Sequence, residues 1–87
     1  MFEAVEFVEE TGGAEPKVTV LGEYETEREA VASAREAKLQ FTQTGSPDYA
    51  WWLVRRKGAA LAEFISDSKS AKEFILDLNS GELIEIH

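Results

Sequence analysis

The apolar positions at the start of the chain alternate with polar ones and predict a β-hairpin. Residues 2–9 are rich in β-forming side chains and alternate imperfectly, which predicts a strand with both faces partly covered. Residues 17–24 alternate cleanly, with Val18, Val20 and Tyr24 on one face. We expect that face to be the one covered by the rest of the domain. The glycine-rich segment between the two strands is predicted to be the turn.

A helix is predicted directly after the second strand. Thr26 and Glu29 have the spacing of a capping box, in which the threonine hydroxyl accepts from the glutamate amide and the glutamate carboxylate from the threonine amide. Apolar residues then recur at helical spacing, and they are Ala30, Val31, Ala34, Ala37 and Phe41. A stripe of such small residues lets a helix lie close on a sheet. Gly45 and Pro47 are predicted to end the helix.

The remainder of the chain predicts a meander of strands. Residues 48–56 carry large side chains on both faces, which is typical of a central strand. Residues 60–66 are predicted to be a strand, although their alanine-rich start is also compatible with a helix. Two further strands are predicted at 73–78 and 82–86, with turns between them.

The predicted order of elements is ββαββββ. One helix packed on one face of a mostly antiparallel sheet is an α+β two-layer sandwich. A chain of 87 residues suits one compact domain, and we assign residues 1–87 to it. Because a single helix covers only one face, the other face is predicted to be open or shared with a partner.

The fourth predicted element contains the candidate interface. Period-two geometry places Tyr49, Trp51, Leu53 and Arg55 on one face of this strand. The opposite row consists of Ala50, Trp52, Val54 and Arg56. We assign the first, amphipathic row to the open face and the second, drier row to the face beneath the helix. Exposed aromatic residues beside arginine are typical of protein interfaces and of surfaces that stack single-stranded bases. Coverage of the row by a loop or chain terminus is the alternative.

Charge is negative and unevenly distributed. The formal net charge is −8, and residues 1–29 hold nine carboxylates against Lys17 and Arg28. Such a balance argues against nucleic-acid binding, which depends on a basic surface. The only basic cluster, residues 55–57, is interpreted as a charged strand end that discourages edge pairing. The acidic run is interpreted as a solvated face, with docking on a basic partner as the alternative.

The residue content offers little for catalysis or metal binding. The chain has no cysteine, and its single histidine, His87, is the last residue. The motifs of common nucleophiles, nucleotide-binding loops and metal sites are absent from the sequence. We therefore expect no enzymatic activity, no cofactor and no metal. No apolar run reaches membrane-spanning length, and the acidic first residues do not resemble a signal peptide. We expect a cytoplasmic protein without membrane contact.

Residues 22–37, which follow two predicted strands, resemble the strand-to-helix segment of HicB-type antitoxins. The resemblance covers less than a quarter of the chain and consists of the capping box and the alanine stripe. The Pro-Gly turn usual before that helix is absent, as is an appended helix-turn-helix for operator binding. The resemblance implies an antitoxin-like role, and we assign no family from it.

These features predict a non-catalytic protein-interaction or regulatory module that forms a homodimer through the aromatic sheet face. The alternative is a partner-neutralising inhibitor, antitoxin-like or an acidic nucleic-acid mimic, that docks on a basic surface. Binding of a small ligand or a nucleic acid to the aromatic row is a third interpretation, and a small hydrolase is the fourth.

Overall fold

The computed structural model describes residues 1–13, 15–57, 62–76 and 80–86, and it confirms the predicted α+β fold. The elements are β1 (Phe2–Glu9), β2 (Lys17–Tyr24), α1 (Glu27–Gln43), β3 (Tyr49–Arg56), β4 (Ala62–Asp67), β5 (Glu73–Leu76) and β6 (Leu83–Ile86). The strand interpretation of residues 60–66 is confirmed from Ala62 onwards, and the helical alternative for that part is wrong. The predicted turn residues 58 and 79 lie outside the described residues.

All six strands form one sheet in the order β2-β1-β3-β4-β5-β6, and every neighbouring pair is antiparallel. The order follows the chain except at one point, because α1 carries the chain across β1. As a result β3 pairs with the free side of β1 and runs parallel to β2, with β1 between them. Such a crossover needs a connection of a dozen or more residues, which α1 provides.

The N-terminus of α1 is capped as the sequence predicts, with one difference in detail. The Thr26 hydroxyl accepts from the Glu29 amide at 3.2 Å. The Glu29 carboxylate accepts from the same hydroxyl at 2.9 Å, whereas the prediction gave it the Thr26 amide. Gly45, just beyond the helix, has a φ of 67°, which confirms the predicted left-handed glycine. No helix in the described ranges is long and apolar enough to cross a membrane.

The core lies between α1 and the face of the sheet formed by β1, β3 and β4. Ala30 and Ala34 contribute the buried side of the helix, and the buried sheet residues are Ala4, Ala50, Trp52, Val54 and Phe64. Trp52 is completely buried, and Phe41 meets its ring edge-on with centroids 5.6 Å apart. The indole Nε1 donates to Glu6 Oε1 at 2.9 Å. The prediction that Trp52 packs beneath the alanine-rich helix is therefore confirmed.

The predicted facing of β2 is wrong for its two valines. Ala4 lies opposite Gly22, but Val5 lies opposite Val20, so Leu21 is an extra residue in the pairing. Such a bulge reverses the alternation on either side of it. Tyr24 remains on the helix side, where it packs against the core, whereas Val18 and Val20 point to the opposite face. Leu21 packs against the core in their place.

Two basic side chains connect α1 to the part of the sheet that it does not cover. Arg35 forms two hydrogen bonds to the Glu73 carboxylate of β5, at 2.9 and 2.8 Å. Lys38 Nζ donates to Ser66 Oγ and to the Ser70 carbonyl oxygen, both at 2.7 Å. These bonds connect the helix to β4, to β5 and to the loop between them, all on the helix side of the sheet.

Candidate functional site: the open face of the sheet

The sheet face opposite α1, called the open face below, carries the whole predicted interface row. Tyr49, Trp51, Leu53 and Arg55 lie on this face of β3, and all four are half-buried. Cross-strand partners share a face, so the pairing adds further members from the other strands. They are Val5 and Phe7 of β1, Val18 and Val20 of β2, Ile65 of β4 and Phe74 of β5.

An aromatic cluster forms the centre of the open face. Phe7 stacks on Trp51 with ring centroids 5.1 Å apart and planes 3° from parallel. The ring of Tyr49, two residues along the same strand, lies with its centroid 5.6 Å from that of the Trp51 indole and is tilted by 36°. Three adjacent rings form a continuous aromatic cluster, and aromatic side chains of this kind are enriched among the residues that anchor protein interfaces.

Tyr49 is contacted by two charged residues, Asp67 at the end of β4 and Lys69 in the loop that follows. Its hydroxyl donates to Asp67 Oδ2 at 3.0 Å, and Lys69 Nζ lies 5.2 Å from the ring centroid. Partial burial raises the pKa of the Tyr49 hydroxyl, and the hydrogen bond to Asp67 raises it further. The phenol therefore stays neutral at physiological pH and contributes an uncharged ring to the face.

At the other end of the open face, charged residues form two ion pairs. Arg55 contacts the Glu3 carboxylate at 3.3 Å, and Lys57 contacts Glu23 at 3.0 Å. The hydrogen bond to Glu23, together with the negative charge of that residue, raises the pKa of Lys57. Arg56 points to the helix side, with its guanidinium 5.7 Å from the centre of the Phe2 ring. The basic cluster of the sequence is thus divided between the two faces.

Two exposed valines extend the open face to the edge of the sheet. Val18 is 56% exposed and Val20 is 53% exposed. The alternation of the sequence predicts both on the covered side, because a regular period of two through Gly22 gives them the same facing as Tyr24. A glycine inside a strand pattern is a known signal of a bulge. Gly22 was therefore the available indication that the facing changes in this strand.

Ser66 and Lys38 are the pair that most resembles a catalytic nucleophile and its base, with Nζ 2.7 Å from Oγ. Ser66 is only 2% exposed, and its hydroxyl donates to the Lys72 carbonyl oxygen at 3.3 Å. A nucleophile has to reach its substrate. In this geometry both residues instead connect the helix to the β4–β5 loop, which is a structural role.

Metal ligands do not converge in the described part of the chain. Across residues 1–13, 15–57, 62–76 and 80–86, no three acidic, cysteine or histidine side chains are placed to hold an ion. His87 lies outside the described residues. The chemistry that the described site can offer is therefore apolar and aromatic contact with a charged rim.

No protein-family model, curated protein or solved structure matches this chain.

Proposed function

We propose that this chain is a non-catalytic protein-interaction module that forms a homodimer through the open face. The observation that supports it is the Phe7–Trp51–Tyr49 cluster on a face that the only helix of the described chain leaves uncovered. Large apolar side chains in water favour association because burial removes their surface from solvent. The exposed Val18, Val20 and Leu83 enlarge the surface available for that burial.

The size of the face supports a second copy as the occupant. Strands lie about 4.8 Å apart and rise about 3.3 Å per residue, so a six-stranded face with this fold measures about 25 by 20 Å in outline. Projecting side chains raise its accessible area above the flat outline. A stable interface buries about 800 Å² on each partner. The flat outline of about 500 Å² is smaller than this area but of the same order of magnitude, so a dimer would have to use the whole open face together with its projecting side chains.

The distribution of charge on the open face also supports a second copy of the chain as its occupant. A chain with a net charge of −8 is repelled by its own copy wherever acidic surfaces approach. On the open face, however, Glu3 and Glu23 are paired with Arg55 and Lys57, and Asp67 accepts from Tyr49. Two copies that meet here bring these ion pairs and the apolar rings together, while Glu9, which lies opposite Tyr49, and Asp67 leave negative charge at one end of the face. A two-fold axis lets the same patch serve both partners, and two-fold dimers are the commonest oligomers.

The test compares two lysine substitutions by sedimentation velocity across the micromolar range. Trp51→Lys places a charge in the centre of the face, and we expect it to give a folded monomer while the wild-type protein is a dimer. Leu39→Lys is the matched control, because Leu39 is an exposed apolar residue of α1 that lies away from the open face. A wild-type monomer throughout that range, or equal dissociation of both variants, would contradict the proposal.

A second candidate function is neutralisation of a basic partner. The observation that favours it is a group of acidic residues that lies away from the open face. Exposed carboxylates without an ion pair among the described residues include Glu25, Glu27, Glu29 and Glu36, on or just before α1. Capture of a basic partner that weakens with added salt would support this function, whereas dimerisation that is insensitive to salt would support the first.

A further inference from the structure

The outer edge of the sheet at β2 borders a groove that lies against α1. Leu21 and Tyr24 form the strand side of this groove, and Ala32 and Ala37 form part of the helix side. The groove has a volume of about 590 Å³ and is open to solvent. Two carboxylates, Glu29 and Glu36, line it as well.

The acidic residues of the groove keep their negative charge available. Among the described residues, Glu29 accepts from its capping partner Thr26, and Glu36 accepts from the Gln40 amide at 3.2 Å. Within the described ranges, neither carboxylate forms an ion pair with a basic side chain. Two carboxylates beside the apolar groups of Leu21, Ala32 and Ala37 suit a side chain with an apolar stem and a positive end, such as lysine or arginine.

The strand beside the groove has a free side. β2 is the first strand in the sheet order, and within the described part of the chain β1 is its one neighbour. Alternate residues of an antiparallel edge strand direct their N–H and C=O groups away from the sheet, where they can accept another strand. The exposed Val18 and Val20 lie on the other side of the same strand. A strand added to β2 would therefore lie beside the groove carboxylates on the helix side of the sheet and beside the two valines on the open face.

We infer that β2 binds an extended basic peptide segment of a partner protein as an additional strand of the sheet. Side chains of such a strand point alternately to the two faces. Lysine or arginine residues enter the groove between Glu29 and Glu36, and the apolar residues between them pack beside Val18 and Val20. The inference rests on the second candidate function, because it gives the basic partner a site and a conformation. It does not depend on dimerisation through the open face.

The first experiment separates strand addition from simple charge attraction. The probe is a fluorescent peptide of alternating lysine and valine, about as long as β2, whose binding is followed by fluorescence anisotropy at low salt. Two further peptides carry N-methyl groups on the odd or on the even residues. N-methylation removes the amide donors on one side only, so we expect one of the two to lose affinity by more than about tenfold and the other to bind like the parent.

The second experiment tests whether the groove is the binding site, with two variants that have the same net charge. Glu29→Gln with Glu36→Gln removes both groove carboxylates, and Glu25→Gln with Glu27→Gln removes two exposed carboxylates outside the groove. We expect the first pair to weaken binding of the parent peptide several-fold more than the second, and circular dichroism to show that both variants are folded.

Three results would overturn the inference. The first is salt-sensitive binding with the same affinity for the parent peptide and for both N-methylated peptides. That result would mean capture of basic partners without strand addition, which leaves the second candidate function intact. Equal weakening by the two variants would mean that the groove is not the site. No binding of the peptide, together with concentration-dependent protection of the β2 amides from exchange, would mean that a second copy occupies the edge.

Discussion

Phe7 and Trp51 stack across the β1–β3 pair with their planes 3° from parallel, although residues 7 and 51 belong to strands separated by the whole of α1. Stacked aromatic pairs contribute beyond the area that they bury. We expect a double-mutant cycle with Phe7→Leu and Trp51→Leu to give a coupling of about 1 kcal/mol in the free energy of unfolding. The cycle is measured by urea denaturation at a protein concentration below that of association. Additive effects would show that the rings merely lie near each other.

The Trp52–Glu6 hydrogen bond leads to a second prediction. Trp52→Phe keeps an aromatic ring in the core but leaves the Glu6 carboxylate without its indole donor. We expect a loss of roughly 2 kcal/mol in the free energy of unfolding, since a half-buried acceptor without a partner is costly. Adding Glu6→Leu to this variant should recover part of the loss, because both polar partners are then absent. Further destabilisation by the second substitution would contradict the explanation.

The helix cap gives a third prediction. Thr26→Ala removes the oxygen that accepts from the Glu29 amide and should cost about 1 kcal/mol of unfolding free energy. Thr26→Ser retains the hydroxyl and serves as the control, with a denaturation midpoint close to that of the wild type. Equal midpoints for the alanine variant and the wild type would mean that the hydroxyl contributes nothing to the helix.

Tyr49 gives a prediction about pH. Its pKa in the folded protein is raised, first by partial burial and then by the Asp67 carboxylate. Its stabilising effect is therefore complete below the unfolded-state pKa of about 10 and is lost as the pH rises through the folded-state value. The difference in tyrosinate absorbance between the wild type and Tyr49→Phe, followed against pH, should show that Tyr49 ionises at a higher pH than a free tyrosine. Asp67→Asn should move the pKa of Tyr49 back towards its ordinary value. An unchanged titration curve in this variant would contradict the role of Asp67.

The sequence predicted the features that depend on local chemistry. The capping box at Thr26 and Glu29 fixed the start of the helix, because both partners lie within one turn. The opposite facing of Trp51 and Trp52 followed from the period of two in an unbroken strand. In both cases the information needed lies within a few neighbouring residues.

The sequence did not predict the features that depend on pairing between distant strands. The extra residue Leu21 reverses the facing of Val18 and Val20, and its position is defined only by the register against β1. The contact of Phe7 with Trp51 and the pairing of Arg55 with Glu3 also require the β1–β3 register. That register is a long-range property of the folded sheet, which periodicity within one strand does not contain.

The incomplete coverage of the sheet by α1 has a consequence for how the molecule opens. The helix packs on β1, β2 and β3, whereas the β5–β6 pair reaches the covered side through the Arg35–Glu73 ion pair and through Ile86, which is partly buried against the core. On the helix side of that pair, Ile75 is 41% exposed and Ile84 is 50% exposed. Cooperative unfolding units are defined by shared buried contacts. The β5–β6 amides should therefore exchange with solvent through a local opening, at a lower free energy than the amides of β1 and β3 beneath the helix.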